Sequence, residues 1–140
     1  GAGTVVTTEL VHAAADTGAR YTVAPGFDPT VASASLAAGL PHMPGVATPT
    51  EVQHARAAGH RWVKVFPAST LGPAWFRAVR GPFPDVHLLA TGGVSITRAP
   101  DYLTAGARIV AFGAAATESA NRVELQRLIK SIDRSPSVVQ

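Results

Sequence analysis

One pattern recurs along this chain and limits its fold more than any other feature. An alanine-rich stretch with helical character ends at a glycine, and a short run of apolar and β-branched residues follows. The repeat returns every 20 to 25 residues, and its glycines are Gly18, Gly39, Gly59, Gly81 and Gly106. Because glycine suits the left-handed position that ends many helices, each one predicts a helix end just before a strand.

The repeat predicts five strands that alternate with helices. The strands are expected at 21–24, 42–46, 62–66, 87–90 and 109–112, and the helices at 8–17, 29–38, 49–58, 73–79, 98–105 and 119–134. Thr48 and Asp28 each precede a proline and suit helix N-caps, and Glu51 completes a capping box with Thr48. The alternation indicates βα units and a parallel sheet.

Units this short and regular favour a (β/α)8 barrel, an α/β fold that needs eight strands, over an open sheet. Only about five βα units are present, and the opening residues 1–4 resemble a loop that follows a strand. We therefore expect an incomplete barrel domain over residues 1–134, corresponding to the C-terminal five-eighths of the fold, and a flexible tail at 135–140. Open sheet edges and an uncovered inner face would make such a chain poorly folded or self-associating.

Composition favours a globular chain that acts on a small anionic molecule. Of the residues, 46% are hydrophobic, which is enough for one core, and the absence of cysteine excludes disulfides and thiolate metal sites. No apolar run is long enough to span a bilayer, so a soluble, cytoplasmic protein is expected. The 12 basic residues are scattered among 9 acidic ones, which argues against a nucleic-acid partner. The five histidines lack metal-ligand spacing, and no metal is expected.

Lys64 is the first candidate for chemistry. It lies in the expected strand 62–66, where alternation places it on one face with Trp62 and Phe66. Burial lowers the pKa of a lysine, and the neutral amine is a nucleophile for carbonyl carbon. The alternative is a structural lysine whose ammonium reaches water or pairs with a carboxylate. The residues alone leave both interpretations open.

Small residues follow the last two strands. Gly92 and Gly93 come after the fourth strand, and Gly113 with Ala114 after the fifth. In a barrel these loops are neighbours, and exposed backbone N–H groups at such places commonly bind phosphate. Each loop taken alone would more simply be an ordinary turn, whereas the two together favour a phosphate site.

Several segments together carry a resemblance to a known family. They are Gly1-Ala2-Gly3-Thr4-Val5, Ala24-Pro25-Gly26, Pro44-Gly45-Val46-Ala47-Thr48-Pro49-Thr50-Glu51, Lys64-Val65-Phe66-Pro67-Ala68, Gly81-Pro82-Phe83-Pro84 and Thr91-Gly92-Gly93-Val94. In this order they resemble the 2-keto-3-deoxy-6-phosphogluconate (KDPG) / 4-hydroxy-2-oxoglutarate (KHG) aldolases, which are class I aldolases of the Entner-Doudoroff type. The resemblance runs from Gly1 to about Ala115, and the lysine segment is its most diagnostic part.

The resemblance implies a role for each matching residue. Lys64 would be the catalytic Schiff-base lysine, and Thr4, Pro25 and Phe66 would line the pyruvate pocket. The substrate phosphate would be bound by Gly92, Gly93, Gly113 and Ala114. A homo-oligomer, specifically a trimer, and a reaction without cofactor are implied as well.

Two departures from the family pattern affect these expectations. Ala115 stands where the family usually has a serine in the last phosphate loop. The family's acid/base glutamate and carboxylate-binding arginine belong to earlier strands that this sequence lacks. None of its nine acidic residues is expected at the C-terminal end of a strand.

The leading hypothesis is therefore a class I aldolase that cleaves a KDPG-like substrate to pyruvate and glyceraldehyde 3-phosphate. Cleavage of 4-hydroxy-2-oxoglutarate to pyruvate and glyoxylate is a second expected activity. The alternative is a truncated, non-catalytic partial barrel that binds phosphate. A phosphate-binding barrel with epimerase chemistry is a third hypothesis, although it would need a carboxylate pair or a metal site at the strand ends.

Overall fold

The computed structural model describes residues 1–113 and 121–133, which form six strands and six α-helices. The strands are β1 (Thr22–Val23), β2 (His42–Met43), β3 (Gly45–Val46), β4 (Trp62–Val65), β5 (His87–Ala90) and β6 (Ala107–Val110). The helices are α1 (Thr8–Asp16), α2 (Pro29–Ala37), α3 (Pro49–Ala57), α4 (Ala68–Arg80), α5 (Ala99–Thr104) and α6 (Arg122–Asp133). A 3₁₀ turn, Ile96–Arg98, precedes α5. The expected tail at 135–140 lies outside the described residues.

All strand pairs are parallel, as the repeat predicts, and the fold is a partial (β/α) barrel. One sheet has the order β3-β4-β5-β6, and β1 pairs with β2 beside it. Ala2 bridges to Thr22 in the parallel sense, so the opening residues run alongside β1. They therefore include one isolated bridge residue as well as the loop that the sequence predicts.

The predicted second strand, 42–46, is wrong as a single element. It divides at Pro44 into β2, which pairs with β1, and β3, which pairs with β4. Proline has no N–H for a ladder, but the Pro44 carbonyl still accepts from Lys64 N at 2.8 Å. The chain thus passes from one sheet to the other at this residue.

Two further strand and turn predictions are corrected. The last strand begins two residues earlier than expected, at Ala107, because Gly106 (φ 105°) ends the preceding turn directly before it. Gly81 does not take the left-handed conformation predicted for it; its φ is −57°. The helix before it, α4, is broken at Gly72, whose φ of 73° and ψ of 166° are not helical. The part after the break agrees with the helix predicted from residue 73, and the turn from Ala68 to the break is an addition.

Alternation along β4 is confirmed and separates the two faces of the sheet. Val63 and Val65 are fully buried against Phe76 of α4 and Tyr102 of α5, which form the core between sheet and helices. Tyr102 also donates its hydroxyl proton to the Ala68 carbonyl at 3.1 Å. The opposite, inner face carries Lys64 and remains partly open. Within the described residues, no helix is long and apolar enough to cross a membrane.

Candidate active site

Backbone pairing on both sides fixes the position of Lys64. In the parallel register Lys64 lies opposite Gly45 of β3 and Leu89 of β5. The next residue on the same face, Phe66, donates its N–H to the Val46 carbonyl at 3.1 Å. Lys64 is therefore placed by the central strand of a four-stranded sheet, near the carboxyl end where barrel chemistry is found.

The surroundings of Lys64 favour its neutral form. The side chain is half-buried, and the loss of solvation lowers the pKa of its ammonium. Among the described residues no carboxylate lies within ion-pair distance of it. The ring of Phe66, whose centroid is 4.6 Å from Nζ, attracts the charged form and acts against the effect of desolvation. Among the described residues no carboxylate supports the paired interpretation, and the role of Lys64 as a nucleophile stays a prediction.

Lys64 opens into a cavity of about 500 Å³ on the inner face of the sheet. Four more of the predicted site residues line the same cavity: Phe66, Gly92, Gly93 and Gly113. The remaining walls are mostly apolar and include Met43, Leu89 and Ile109. A ketone and a distal anionic group could therefore bind in one continuous space beside the lysine.

Three predicted residues are not part of this cavity as described. Pro25 lines a different, smaller cavity, and Thr4, which is exposed with a φ of 57°, lines neither of the two. Ala114 lies outside the described residues. The binding roles of Thr4, Pro25 and Ala114 stay predictions.

The loop after β5 requires glycine at two consecutive positions. Gly92 has a φ of 91°, and a Cβ there would come within 2.7 Å of the Phe66 ring. Gly93 has a φ of 70°, and a Cβ there would collide with the Ser69 hydroxyl. Ser69 N donates to the Gly92 carbonyl at 3.0 Å, so the loop packs against the first turn of α4. A side chain at either glycine would push this wall of the cavity away from Lys64.

Thr91 also lines the cavity and was not singled out from the sequence. Its N–H donates to the Val65 carbonyl at 3.2 Å, which places it level with Phe66. Strand alternation extended past Leu89 would have found it, because residues 89 and 91 share a face. Its hydroxyl is a polar group that a substrate could use.

One acidic residue, Glu51, lies in the first turn of α3 as predicted, and its carboxylate reaches back to the end of β3. Glu51 Oε2 accepts from the N–H groups of Ala47 and Thr48, at 2.7 and 2.9 Å, immediately after β3. The bond from Ala47 is the main cause of the lowered pKa of this carboxyl. Glu51 completes the predicted capping box and does not line the cavity of Lys64. Among the described residues, no His, Asp and Glu side chains cluster in a way that could hold a metal ion.

Comparison with known proteins identifies close relatives of this arrangement. The profile of the family described as "KDPG and KHG aldolase" matches residues 1–131. A probable 2-dehydro-3-deoxy-6-phosphogalactonate aldolase from Rhizobium meliloti (strain 1021) is 45% identical over 81% of this chain.

Solved structures agree with this match. The 4-hydroxy-2-oxoglutarate aldolase/2-deydro-3-deoxyphosphogluconate aldolase from TTHB1 superposes with a TM-score of 0.84 at 36% identity, over 93% of this chain and 66% of that one. The KDPG aldolase from Legionella pneumophila, with pyruvate captured as a covalent carbinolamine intermediate, gives 0.79 at 28% identity, over 94% and 67%. This chain spans 54% of the Rhizobium protein, about half of its length.

Proposed function

Since this chain belongs to the KDPG and KHG aldolase family, we propose that it acts as a class I aldolase and that Lys64 forms a Schiff base with the ketone of its substrate. The observation that carries the proposal is the state of Lys64: it is unpaired among the described residues, half-buried and lowered in pKa, in a cavity of about 500 Å³. The carbinolamine reported for the Legionella relative supports an attack by an amine. We propose a 2-keto-3-deoxy-6-phospho sugar acid as substrate, with 4-hydroxy-2-oxoglutarate as a second one.

In the proposed reaction the neutral Lys64 amine attacks the C2 carbonyl carbon. The resulting carbinolamine loses water and becomes an iminium. A base removes the proton of the C4 hydroxyl, the C3–C4 bond breaks, and its electron pair moves into the iminium to give an enamine. The aldehyde leaves, C3 takes a proton, and water releases pyruvate and the free amine.

The remaining cavity residues have binding roles in this proposal. The backbone N–H groups of the loop at Gly92 and Gly93, together with the turn at Gly113, would bind the substrate phosphate. Phe66 would pack against the pyruvyl part, and the Thr91 hydroxyl would hydrogen-bond to the substrate. Assembly as a homo-oligomer, with a trimer expected from the family resemblance, and a cytoplasmic location belong to the same proposal.

Borohydride trapping tests the covalent step. Incubation with pyruvate and borohydride should attach one pyruvate-derived group to the peptide that contains Lys64. The chain has one other lysine, Lys130, which is exposed on α6 and provides a matched control. Lys64→Met should abolish labelling, whereas Lys130→Met should leave it unchanged.

The same experiment separates the proposal from the non-catalytic alternative. A barrel that only binds phosphate would bind inorganic phosphate at its glycine loops. It would not be labelled by pyruvate and borohydride. Labelling at Lys130, or equal labelling in wild type and Lys64→Met, would exclude Lys64 as the nucleophile.

A further inference from the structure

One wall of the Lys64 cavity is apolar and has no role in the reaction proposed above. Its side chains include Met43, Leu89 and Ile109. Among the described residues that line the cavity, Lys64 alone has a basic side chain. The segment 114–120, which lies outside the described residues, contains no Lys, Arg or His. The amine of Lys64 therefore shares its cavity with a wall that carries no positive charge.

This wall weakens the binding of a 2-keto acid. The carboxylate of such a substrate is bonded directly to the carbonyl carbon that Lys64 attacks, so it must enter the cavity together with that carbon. The nucleophilic form of Lys64 is neutral, and no iminium exists yet to balance the negative charge. A carboxylate that leaves water without a cationic partner loses much of its solvation. A substrate without this carboxylate avoids the loss.

Removal of the carboxylate carbon from the proposed substrate gives a 2-deoxyaldopentose 5-phosphate. Its aldehyde carbon and its phosphorus are separated by as many bonds as C2 and the phosphorus of the 2-keto-3-deoxy-6-phospho acid. With its phosphate at the loops of Gly92, Gly93 and Gly113, it would present the aldehyde carbon to Lys64 where the ketone is expected. An aldehyde is also less crowded and more electrophilic than a ketone, which favours attack by the amine.

We propose that the Lys64 cavity has a second activity, the cleavage of a 2-deoxyaldopentose 5-phosphate to acetaldehyde and glyceraldehyde 3-phosphate. This activity rests on the function proposed above, because it uses the same amine and the same phosphate loops. It extends that function to a substrate class that has no carboxylate.

The reaction balances without an oxidant or a reductant. Lys64 attacks C1, and loss of water gives an iminium. The C3 hydroxyl gives its proton to a carboxylate in the buffer or to water, the C2–C3 bond breaks, and its electron pair moves into the iminium to form an enamine. C2 takes a proton, and water releases acetaldehyde and the free amine.

Borohydride trapping with 2-deoxyribose 5-phosphate tests the first step. The 140-residue chain is used with an acetylated amino terminus, because Gly1 lines the cavity and a free α-amine would also react with the aldehyde. The sugar phosphate should label Lys64 in a saturable way, and about tenfold faster than the exposed Lys130. 2-Deoxyribose without the phosphate should label Lys64 about tenfold more slowly, because it lacks the group that the glycine loops bind.

The second step leaves its own product on the same lysine. With formate present as a base, borohydride should place an ethyl group on part of Lys64, because the acetaldehyde imine forms only after the C2–C3 bond has broken. Free acetaldehyde and glyceraldehyde 3-phosphate should appear in equal amounts. Lys64→Met should yield neither product, whereas Lys130→Met should yield both.

A charge introduced at the apolar wall tests the selectivity. Ile109 is 40% exposed on β6, the last strand of the four-stranded sheet, and accommodates a longer side chain. Ile109→Arg should lower the half-saturating concentration of pyruvate about tenfold relative to that of the sugar phosphate. Ile109→Gln, which adds no charge, should keep the wild-type ratio.

Three results would overturn the second activity and leave the aldolase proposal in place. The first is labelling of Lys64 by pyruvate while the sugar phosphate labels Lys64 no faster than Lys130. The second is cleavage of the phosphorylated keto acid in formate without cleavage of the sugar phosphate. The third is an unchanged ratio in Ile109→Arg; if this variant does not fold, the wild-type results decide. No labelling of Lys64 by either compound would overturn both proposals.

Discussion

Acidification should destabilise this chain through the buried ring of His42. Burial is the main cause that lowers the pKa of His42 from 6.5 to about 4, and the nearby His60 ring, 5.7 Å away between centroids, adds to it. The unfolded chain therefore binds a proton near pH 6.5, whereas the folded chain resists it until about pH 4. The contribution of neutral His42 to stability is present above pH 6.5 and is lost as the pH falls from 6.5 to 4.

The size of the effect follows from the two pKa values. The free energy of unfolding should fall by about 2 kcal/mol between pH 8 and pH 5, and by about 3 kcal/mol below pH 4. The pKa of His60 is lowered by burial too, which adds to the loss in the same direction. A typical domain has a total stability of about 5–15 kcal/mol, so the change is readily measured.

Urea unfolding followed by tryptophan fluorescence at pH 8, 6.5 and 5 measures this slope. His42→Val should be much less sensitive to pH in this range, although less stable overall because it removes the hydrogen bond to Thr22. His54→Val should keep the wild-type slope. The carboxyl of Glu51, whose pKa is lowered from 4.5, loses its contribution only below that pH, so its effect does not overlap. Parallel pH profiles for wild type and His42→Val would refute the reasoning.

Two further predictions concern the inner face of the sheet. Gly93→Asp should raise the KM for a phosphorylated substrate more than it slows borohydride trapping with pyruvate. Gly59→Asp controls for backbone strain, because Gly59 is also left-handed and has open space around it. If Gly93→Asp impairs substrate binding and borohydride trapping equally, the loop has a role in folding alone. The 140-residue polypeptide should also self-associate through its exposed inner face, where Trp62 is 37% exposed. Trp62→Lys should reduce the apparent mass in light scattering, and an unchanged mass would point to the sheet edges.

Local signals in the sequence predict most of the fold. The caps at Asp28 and Thr48 are confirmed because a cap needs only residues within one turn of helix. The alternation of β4 is confirmed because one buried face suffices to set it. The division of the second strand at Pro44 was not predicted, because it depends on which neighbour each half pairs with, and pairing is not encoded within the run itself.

The candidate site likewise combines residues that the sequence predicts with contacts that it does not predict. Lys64 stands out in the sequence because a charged residue interrupts an apolar strand, and this requires no knowledge of its neighbours. Alternation along β5 suffices to place Thr91 on the face of Leu89, but its level opposite Phe66 depends on the register between β4 and β5. The bond from Ala47 to the Glu51 carboxylate depends on how far that side chain reaches back. The environment of His42 depends on three hydrogen bonds that join residues from β1, α2 and β2. Such long-range arrangements become visible only in the folded structure.

The two steps of the proposed reaction, Schiff-base formation and cleavage of the C3–C4 bond, should differ in rate in this chain. Schiff-base formation needs only the Lys64 amine, whose pKa is lowered by burial, and room for pyruvate beside it. Cleavage of the C3–C4 bond also needs a base at the C4 hydroxyl, yet no carboxylate side chain is among the described residues that line the cavity. Glu51 is occupied as a helix cap, with its Oε2 bonded to two backbone N–H groups.

The described residues of the cavity offer no general base, and the loss of such a group typically lowers the rate by about 10²–10⁴-fold. We therefore expect borohydride trapping with pyruvate at a normal rate but very slow cleavage of the phosphorylated substrate by the 140-residue polypeptide. Because the cavity holds about 500 Å³, formate or acetate could enter and accept the proton, so added formate should raise the cleavage rate in a saturable way. Lys64→Met should show no such increase. The contrary result would be cleavage that is as fast as trapping and that formate does not accelerate. It would mean that another group already serves as the base.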